Sequence, residues 1–322
     1  MSTDERQKVF ITGGAGFIAR AIYRRAKAES WPWEFTCYSR SDEKHRALNE
    51  RYPQVGIVRG DITTPDVQHL AAAMRGHDIV IHAAATKYVD RSEMAALDTI
   101  RINTLGSMNV MEAAFLAGVQ RIVGISTDKA VAPVNIYGAT KMAMERAFQD
   151  YASLTAAPQI SLVRYGNVIG STGSVIPLFK KQLADNGRVT ITNPDMTRFW
   201  MSADEAIKTI LHALNDTQQG GIALPSDLRA MRIIDVAHAA IGMDHVDRIV
   251  TVGERPGEKA HETLLAETEG PRTIWHEDWV ELRPPGETPN GERPSHLELT
   301  SDHAPPMSAV EMANLIADAE AV

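Results

Sequence analysis

Short apolar runs recur through the first half of the chain at residues 8–12, 35–39, 54–60, 78–84, 121–126 and 160–165, and each is followed by a stretch whose apolar residues fall at helical spacing. Strands that alternate with helices in this way do not pair as hairpins. They join through crossovers, which sets the strands parallel in one sheet and covers both of its faces with helices. The expected fold class is therefore α/β, a doubly wound parallel sheet, with a smaller C-terminal substrate-binding region.

The first strand runs into Gly13-Gly14-Ala15-Gly16-Phe17-Ile18. Gly13 suits a tight turn, Gly16 a close approach of backbone to a pyrophosphate, and Ala19 the packing of helix on strand. The following helix start then faces the phosphates. Strand, loop and helix together point to dinucleotide binding in a Rossmann-type sheet. At the end of the second strand, where an NAD site places a carboxylate against the ribose, stand Ser39 and Arg40, with Lys44 nearby. A planar, always-charged guanidinium suits a 2′-phosphate, so NADP is favoured over NAD. The alternative is that Arg40 is a solvated charge and Asp42 holds the ribose. Asp61 and Ile62 follow the third strand, where the adenine is met, and the small Ala83, Ala84 and Ala85 follow the fourth.

A chain of 322 residues has room for one large or two intimately joined domains. Beyond residue 170 loops rich in Gly, Pro and Asn take over, with helix signals at 202–216 and 231–242. The first signal opens with Ser202 and Glu205 in a capping pattern and can pack back on the first sheet. The expected division is 1–170 for the dinucleotide, together with 203–222, and 171–322 mainly for the substrate. Prolines crowd between Pro284 and Pro306, which marks an extended loop before a final amphipathic helix.

A formal net charge of −8 repels nucleic-acid phosphates and anionic membrane surfaces, so neither is an expected partner. The single cysteine, Cys37, forms no internal disulfide, and no Cys/His cluster has zinc-ligand spacing, so no metal is expected. The N-terminal MSTDERQKVF offers neither a signal-peptide core nor a membrane span, and the expected location is cytoplasmic.

Tyr137 and Lys141 stand four apart in YGATK, so on a helix they share a face. An ammonium beside a phenol lowers its pKa from about 10 towards neutrality, which would make Tyr137 a general base for a hydroxyl. Upstream, at the end of the fifth strand, Thr127, Asp128 and Lys129 set a hydroxyl, a carboxylate and an amine at the carboxyl edge of the sheet, where open α/β sheets bind ligands. Alone, Asp128 and Lys129 read equally well as a strand-end salt bridge.

Longer strings surround these residues: YSR at 38–40, HAAATKYV at 82–89, STDKAVAPVNIYGATK at 126–141, RYGNVIGSTGSVIPLFKK at 164–181, MTRFWMS at 196–202 and RPGEKAHE at 255–262. With them the chain resembles the extended short-chain dehydrogenase/reductases of the nucleotide-sugar epimerase and dehydratase group. Within that group it is most similar to the soluble UDP-N-acetylglucosamine 4,6-dehydratases (C5-inverting). The resemblance implies NADP-dependent dehydration of UDP-N-acetylglucosamine to a UDP-4-keto-6-deoxy-hexosamine, with the cofactor tightly bound and recycled. It implies that Thr127, Tyr137 and Lys141 serve oxidation at C4, that Lys129 takes the C5 proton, and that Asp128 protonates the departing C6 hydroxyl.

For the UDP-sugar the same resemblance, with the chemistry of the side chains, points to Lys87, Asn167, Val168, Ser174, Val175, Thr192, Arg198, Arg255 and Glu258. Helices after Arg91 and from Tyr137 would meet a partner's helices in a homo-oligomer, a dimer or higher. Two rivals share the fold. A UDP-sugar 4-epimerase needs only Tyr137, Lys141 and a hydroxyl such as Thr127, and a non-catalytic nucleotide-binding scaffold needs none of them. The C-terminal SDHAPPMSA lacks the Asn-rich run the resemblance leads one to expect, and residues 266–296 match nothing in it.

Overall fold

The computed structural model describes residues 6–171, 173–289 and 298–320. Part of the N-terminal reading, 1–5, and part of the proline-rich stretch, 290–297, lie outside the described residues. Nine strands form the main sheet: β1 (Gln7–Thr12), β2 (Trp33–Ser39), β3 (Gly56–Arg59), β4 (Ile79–His82), β5 (Arg121–Ile125), β6 (Gln159–Val163), β7 (Ile222–Pro225), β8 (Thr273–Trp275) and β9 (Trp279–Leu282). Their spatial order is β8-β9-β7-β6-β5-β4-β1-β2-β3. β1 to β7 run parallel, and β8 and β9 close one edge as an antiparallel hairpin.

This is the Rossmann-type doubly wound sheet, and its order reverses between β1 and β4, so the carboxyl ends of those strands open a crevice. The central strands read as unbroken apolar runs because both faces are covered: Val9, Phe10, Ile11, Val80, Ile122, Val123, Ile160 and Leu162 are all buried. Helices Gly106–Ala117 and Ile136–Leu154 pack side by side on one face, and Phe17–Ala28 packs with Ala203–Asn215 on the other. Ser202 and Glu205 cap the last of these reciprocally, and it lies against β5, β6 and β7. The hairpin β8–β9 extends the sheet from within residues 171–322, the segment assigned from sequence mainly to the substrate.

The helix expected after Arg91 is interrupted. It forms as Val89–Met94 and Ala96–Ile100, then a π-helical turn Arg101–Leu105, then Gly106–Ala117. The widened turn directs the buried Asn103 at the β4 exit, where its amide holds both the N–H and the carbonyl of Thr86 at 2.9 Å.

A second core joins helices Val175–Asn186, Ile233–Ile241 and Ala309–Glu320 through Phe179, Ile191, Trp200, Val236, Met312 and Ile316. The helices between 89 and 117 leave Met94, Leu97, Leu105, Phe115 and Leu116 exposed. Among the described residues no helix is long and apolar enough to cross a membrane.

Candidate active site

Two contiguous cavities open at the switch point, one of about 570 Å³ and one of about 250 Å³, with Gly13, Gly16, Lys44, Ala83 and Ala85 common to both. Gly13 has φ +66°, and a Cβ on it would lie 2.8 Å from the amide nitrogen of Ala84, so the β1 turn is pressed onto the β4 exit. Helix Phe17–Ala28 begins immediately after Gly16, and no side chain caps its first amides. An uncapped helix start beside a glycine turn is what a pyrophosphate requires, so the residues fit a dinucleotide.

The smaller cavity is walled by Ala15, Ser39, Arg40, Lys44, Asp61, Ile62 and Ala83 to Ala85, and the larger takes in Phe17 and Ile18. Gly14 lines neither: a Cβ there would sit 2.7 Å from Cα of Cys37, so its role is to let the loop pack on β2. Ser39 Oγ is 2.7 Å from His45 Nε2, and the Arg40 guanidinium lies 3.5 Å from Asp61. Asp42, the alternative ribose ligand, pairs instead with Arg59 at 3.3 Å and reaches neither cavity.

Helix Ile136–Leu154 carries Tyr137 and Lys141 inward, both buried. Its cap is Asn135, whose Oδ1 accepts from Gly138 N at 2.8 Å. A Cβ on Gly138 would stand 2.1 Å from the carbonyl oxygen of Lys129. Only glycine lets the first helical turn rest on the Thr127-Asp128-Lys129 turn, and this places Tyr137 beside that turn. Lys141 Nζ donates to Ile125 O at 2.5 Å, and burial brings its pKa down to about 8 against the opposing pull of Glu145.

The expected lowering of the Tyr137 pKa is not found. Burial raises it, with Lys129 and Thr127 offsetting that only in part, because Lys141 spends its ammonium on the end of β5.

Asp128 is fully buried and lines neither cavity, so it is not on the wall facing a sugar. Its Oδ1 accepts from Thr127 Oγ1 at 2.8 Å and from Lys129 N and Nζ at 2.9 and 3.1 Å. Burial raises its pKa; Lys129 opposes the shift and Glu262 adds to it. Thr127 and Lys129 do reach the wall, and Lys129 Nζ also contacts Asn167 Oδ1 and Glu262 Oε1, each at 3.3 Å. Burial works against the Lys129 charge, but Asp128 and Glu262 outweigh it and raise its pKa well above that of an ordinary lysine.

The remaining candidates line the far half of the larger cavity: Lys87, Asn167, Val168, Ser174, Val175, Thr192, Arg198, Arg255 and Glu258. Asn167 and Val168 are held there by pairing with Trp200 and Met201. Arg198 is already engaged. It donates to the carbonyls of Thr197, Lys259 and Ala260 at 2.7, 2.9 and 3.1 Å, so it braces the 255–262 segment more than it offers itself to a phosphate.

A family model described as polysaccharide biosynthesis protein matches residues 9–284. The chain belongs to that family. Among its relatives the chain is 35% identical over 286 residues to a protein named UDP-N-acetylglucosamine 4,6-dehydratase (inverting) from Campylobacter jejuni, with 87% of this chain and 83% of the relative covered. It is also 35% identical over 271 residues to a protein named UDP-glucose 4-epimerase from Rickettsia bellii, covering 81% of this chain and 78% of the relative. Of solved structures, Pen from Bacillus thuringiensis superposes with a TM-score of 0.89 at 27% identity, covering 100% of both chains.

In this member of the polysaccharide biosynthesis family, further residues enter the site that motif reasoning did not single out. Glu262 contacts Lys129, while Tyr88, Tyr165 and Trp200 line the larger cavity. All four lie inside the strings that carried the resemblance, so position in those strings was the signal. Their residue types gave none, since a lone glutamate or aromatic reads as surface or core.

Proposed function

We propose that this protein is an NADP-dependent UDP-N-acetylglucosamine 4,6-dehydratase that inverts C5. The observation that carries this reading is the Asp128–Lys129 pair, joined at 3.1 Å beside Tyr137 with Lys129 on the cavity wall. An epimerase has no use for such a pair. Gly13, Gly16, Ser39 and Arg40 would hold NADP, which would supply a hydride acceptor for C4 and a hydride donor for C6.

The chain's own groups handle the protons. Tyr137 takes the C4 hydroxyl proton as a phenolate, the form that Lys129 and Thr127 favour against burial. The C5 proton, acidic beside the new ketone, is received by Lys129 after Lys129 has passed its own to Asp128. Asp128 returns a proton through the Thr127 hydroxyl, 2.8 Å away and on the wall, to the C6 hydroxyl as it leaves as water. The pair ends as it began, an ammonium beside a carboxylate, and the enolate left once C6 is reduced takes its C5 proton from Tyr137, on the face away from Lys129 for inversion, which returns Tyr137 to the phenolate. The similarity to the Campylobacter jejuni relative supports the substrate, and the similarity to the Rickettsia bellii protein is the reason for keeping 4-epimerisation as the second reading.

Incubation with UDP-N-acetylglucosamine decides between them. The expected product is lighter by one water, and deuterium placed at C4 is expected at C6; an isobaric product with no loss of water would refute dehydration. The cofactor preference rests on Arg40 and on Asp42 facing away from the cavity. Arg40→Ala is expected to weaken NADP binding by roughly 10- to 100-fold, the worth of a charge-assisted hydrogen bond or two, with NAD binding unchanged by calorimetry. Equal losses for both nucleotides would remove the preference. We also propose that a second copy of the chain covers the exposed Leu97, Leu105 and Phe115, which light scattering of the purified protein would report as a dimer or larger.

A further inference from the structure

Lys129 is held by more than its neighbour Asp128. Resting on the dehydratase reading, we propose that Glu262 is a positioning residue: it anchors the Lys129 side chain on the cavity wall and ties it to the 255–262 segment that carries Arg255 and Glu258.

Glu262 is buried, and its Oε1 lies 3.3 Å from Lys129 Nζ and 3.8 Å from Arg198 Nε. Its backbone is fixed on both sides by Ser301, which accepts from Glu262 N at 2.9 Å and donates its own N–H to Glu262 O at 2.8 Å. The segment before it is fastened to the catalytic turn as well. Asn135, the cap of the Tyr137 helix, donates to Gly257 O at 2.8 Å, and Lys259 Nζ donates to Val131 O at 2.6 Å. The carboxylate of Glu262 is therefore presented from a rigid mount, and it meets Lys129, the member of the pair that itself lines the cavity.

The groups facing Glu262 are Lys129 and Asp128 from the catalytic turn, Tyr137 from its helix, Arg198 from the strand Thr197–Met201, and Lys259 from its own segment. Burial raises the Glu262 pKa, but Lys129, Arg198 and Lys259 lower it further than that, whereas Asp128 is shifted upward. Two carboxyls thus share one ammonium, which holds the Glu262 pKa below the ordinary carboxylate value while burial keeps that of Asp128 above it. Each also keeps one buried oxygen, Asp128 Oδ2 and Glu262 Oε2, without a hydrogen-bond partner among the described residues. With so few donors, the location of the Lys129 ammonium governs both.

The test compares the full-length wild type with Glu262→Gln and Glu262→Asp. Glutamine keeps the size and loses the charge. In protein labelled with 13C-lysine, the Lys129 signal is assigned by its loss in Lys129→Arg. It is expected to titrate about one pH unit or more lower in Glu262→Gln than in wild type, with Glu262→Asp lying nearer the wild type. The kcat profile on UDP-N-acetylglucosamine is expected to move in the same direction. Without the negative charge, Lys129, which must be neutral to act, and Asp128, which must be protonated, both give up protons at lower pH. Both limbs then slide to acid, with KM changed by no more than about twofold.

A Lys129 titration that coincides in Glu262→Gln and wild type overturns the assignment whether or not the sugar nucleotide is turned over. A shifted titration in a protein that fails to dehydrate UDP-N-acetylglucosamine upholds the anchoring and overturns the dehydratase reading alone. If Glu262→Gln does not fold, Glu262→Asp decides: a Lys129 midpoint displaced to lower pH from the wild type supports the assignment, and one that coincides with the wild type overturns it.

Discussion

Lys129→Ala is expected to stop water loss from UDP-N-acetylglucosamine by roughly 10³-fold or more, the range for removing a positioned proton-transfer group. Oxidation at C4 keeps Tyr137, Thr127 and Lys141 but loses the Lys129 charge that favours the phenolate, so the absorbance of reduced nicotinamide is expected to rise on adding substrate, more slowly than in the wild type, and not to decay. Two further consequences follow from the geometry. Asp128 Oδ1 loses its 3.1 Å contact with the ammonium, and Asn167 Oδ1 and Glu262 Oε1 lose theirs at 3.3 Å. Dehydration by Lys129→Ala within tenfold of wild type would remove Lys129 from the role proposed for it.

The largest effect on stability is expected from Arg164→Met. Arg164 follows β6 and is 2% exposed, yet its guanidinium meets Glu145 at 2.6 Å and Glu269 at 2.8 Å and donates to Leu264 O at 3.0 Å. Glu145 also accepts from Ser126 Oγ at 2.6 Å and lies one helical turn beyond Lys141. Methionine fills much of the volume but strands two buried carboxylates, a loss of about 3–5 kcal/mol for a broken buried pair. Denaturant unfolding should show this as a lower midpoint, and the triple variant with Glu145→Gln and Glu269→Gln should recover part of it. A loss below about 1 kcal/mol for Arg164→Met would mean that the network contributes little beyond packing.

The parallel half of the sheet was legible because strands buried on both faces must be apolar throughout, and runs such as VFI at 9–11 and IVI at 79–81 are that pattern. The edge hairpin was not. β9 is WVEL, and its Glu281 looks like a surface residue, but it is buried at 2% exposure and held by Arg283 at 3.1 Å and by the amide of Gln218 at 2.8 Å. A pattern of residue types cannot announce a partner that lies 63 positions away.

In the site, spacing placed Tyr137 and Lys141 on one helix face, and that holds. It could not tell that Lys141 would turn to the end of β5 and leave Lys129 as the cation acting on Tyr137. Likewise the order Thr127-Asp128-Lys129 names the three groups, but only packing decides that the middle one is sealed from the cavity while the outer two face it.

The border of the sheet bears on how such chains can be recombined. The last rows of the main sheet come from residues 273–282, downstream of the segment that closes over the larger cavity. A foreign lobe with different sugar tastes could not be spliced on at a single joint in place of everything after residue 170. It would have to hand the chain back before Thr273, with Glu269 still opposite Arg164. Selectivity in this architecture travels as polypeptide that leaves the sheet and returns to it, and the last helix, Ala309–Glu320, must travel too because it packs with Val175–Asn186 and Ile233–Ile241.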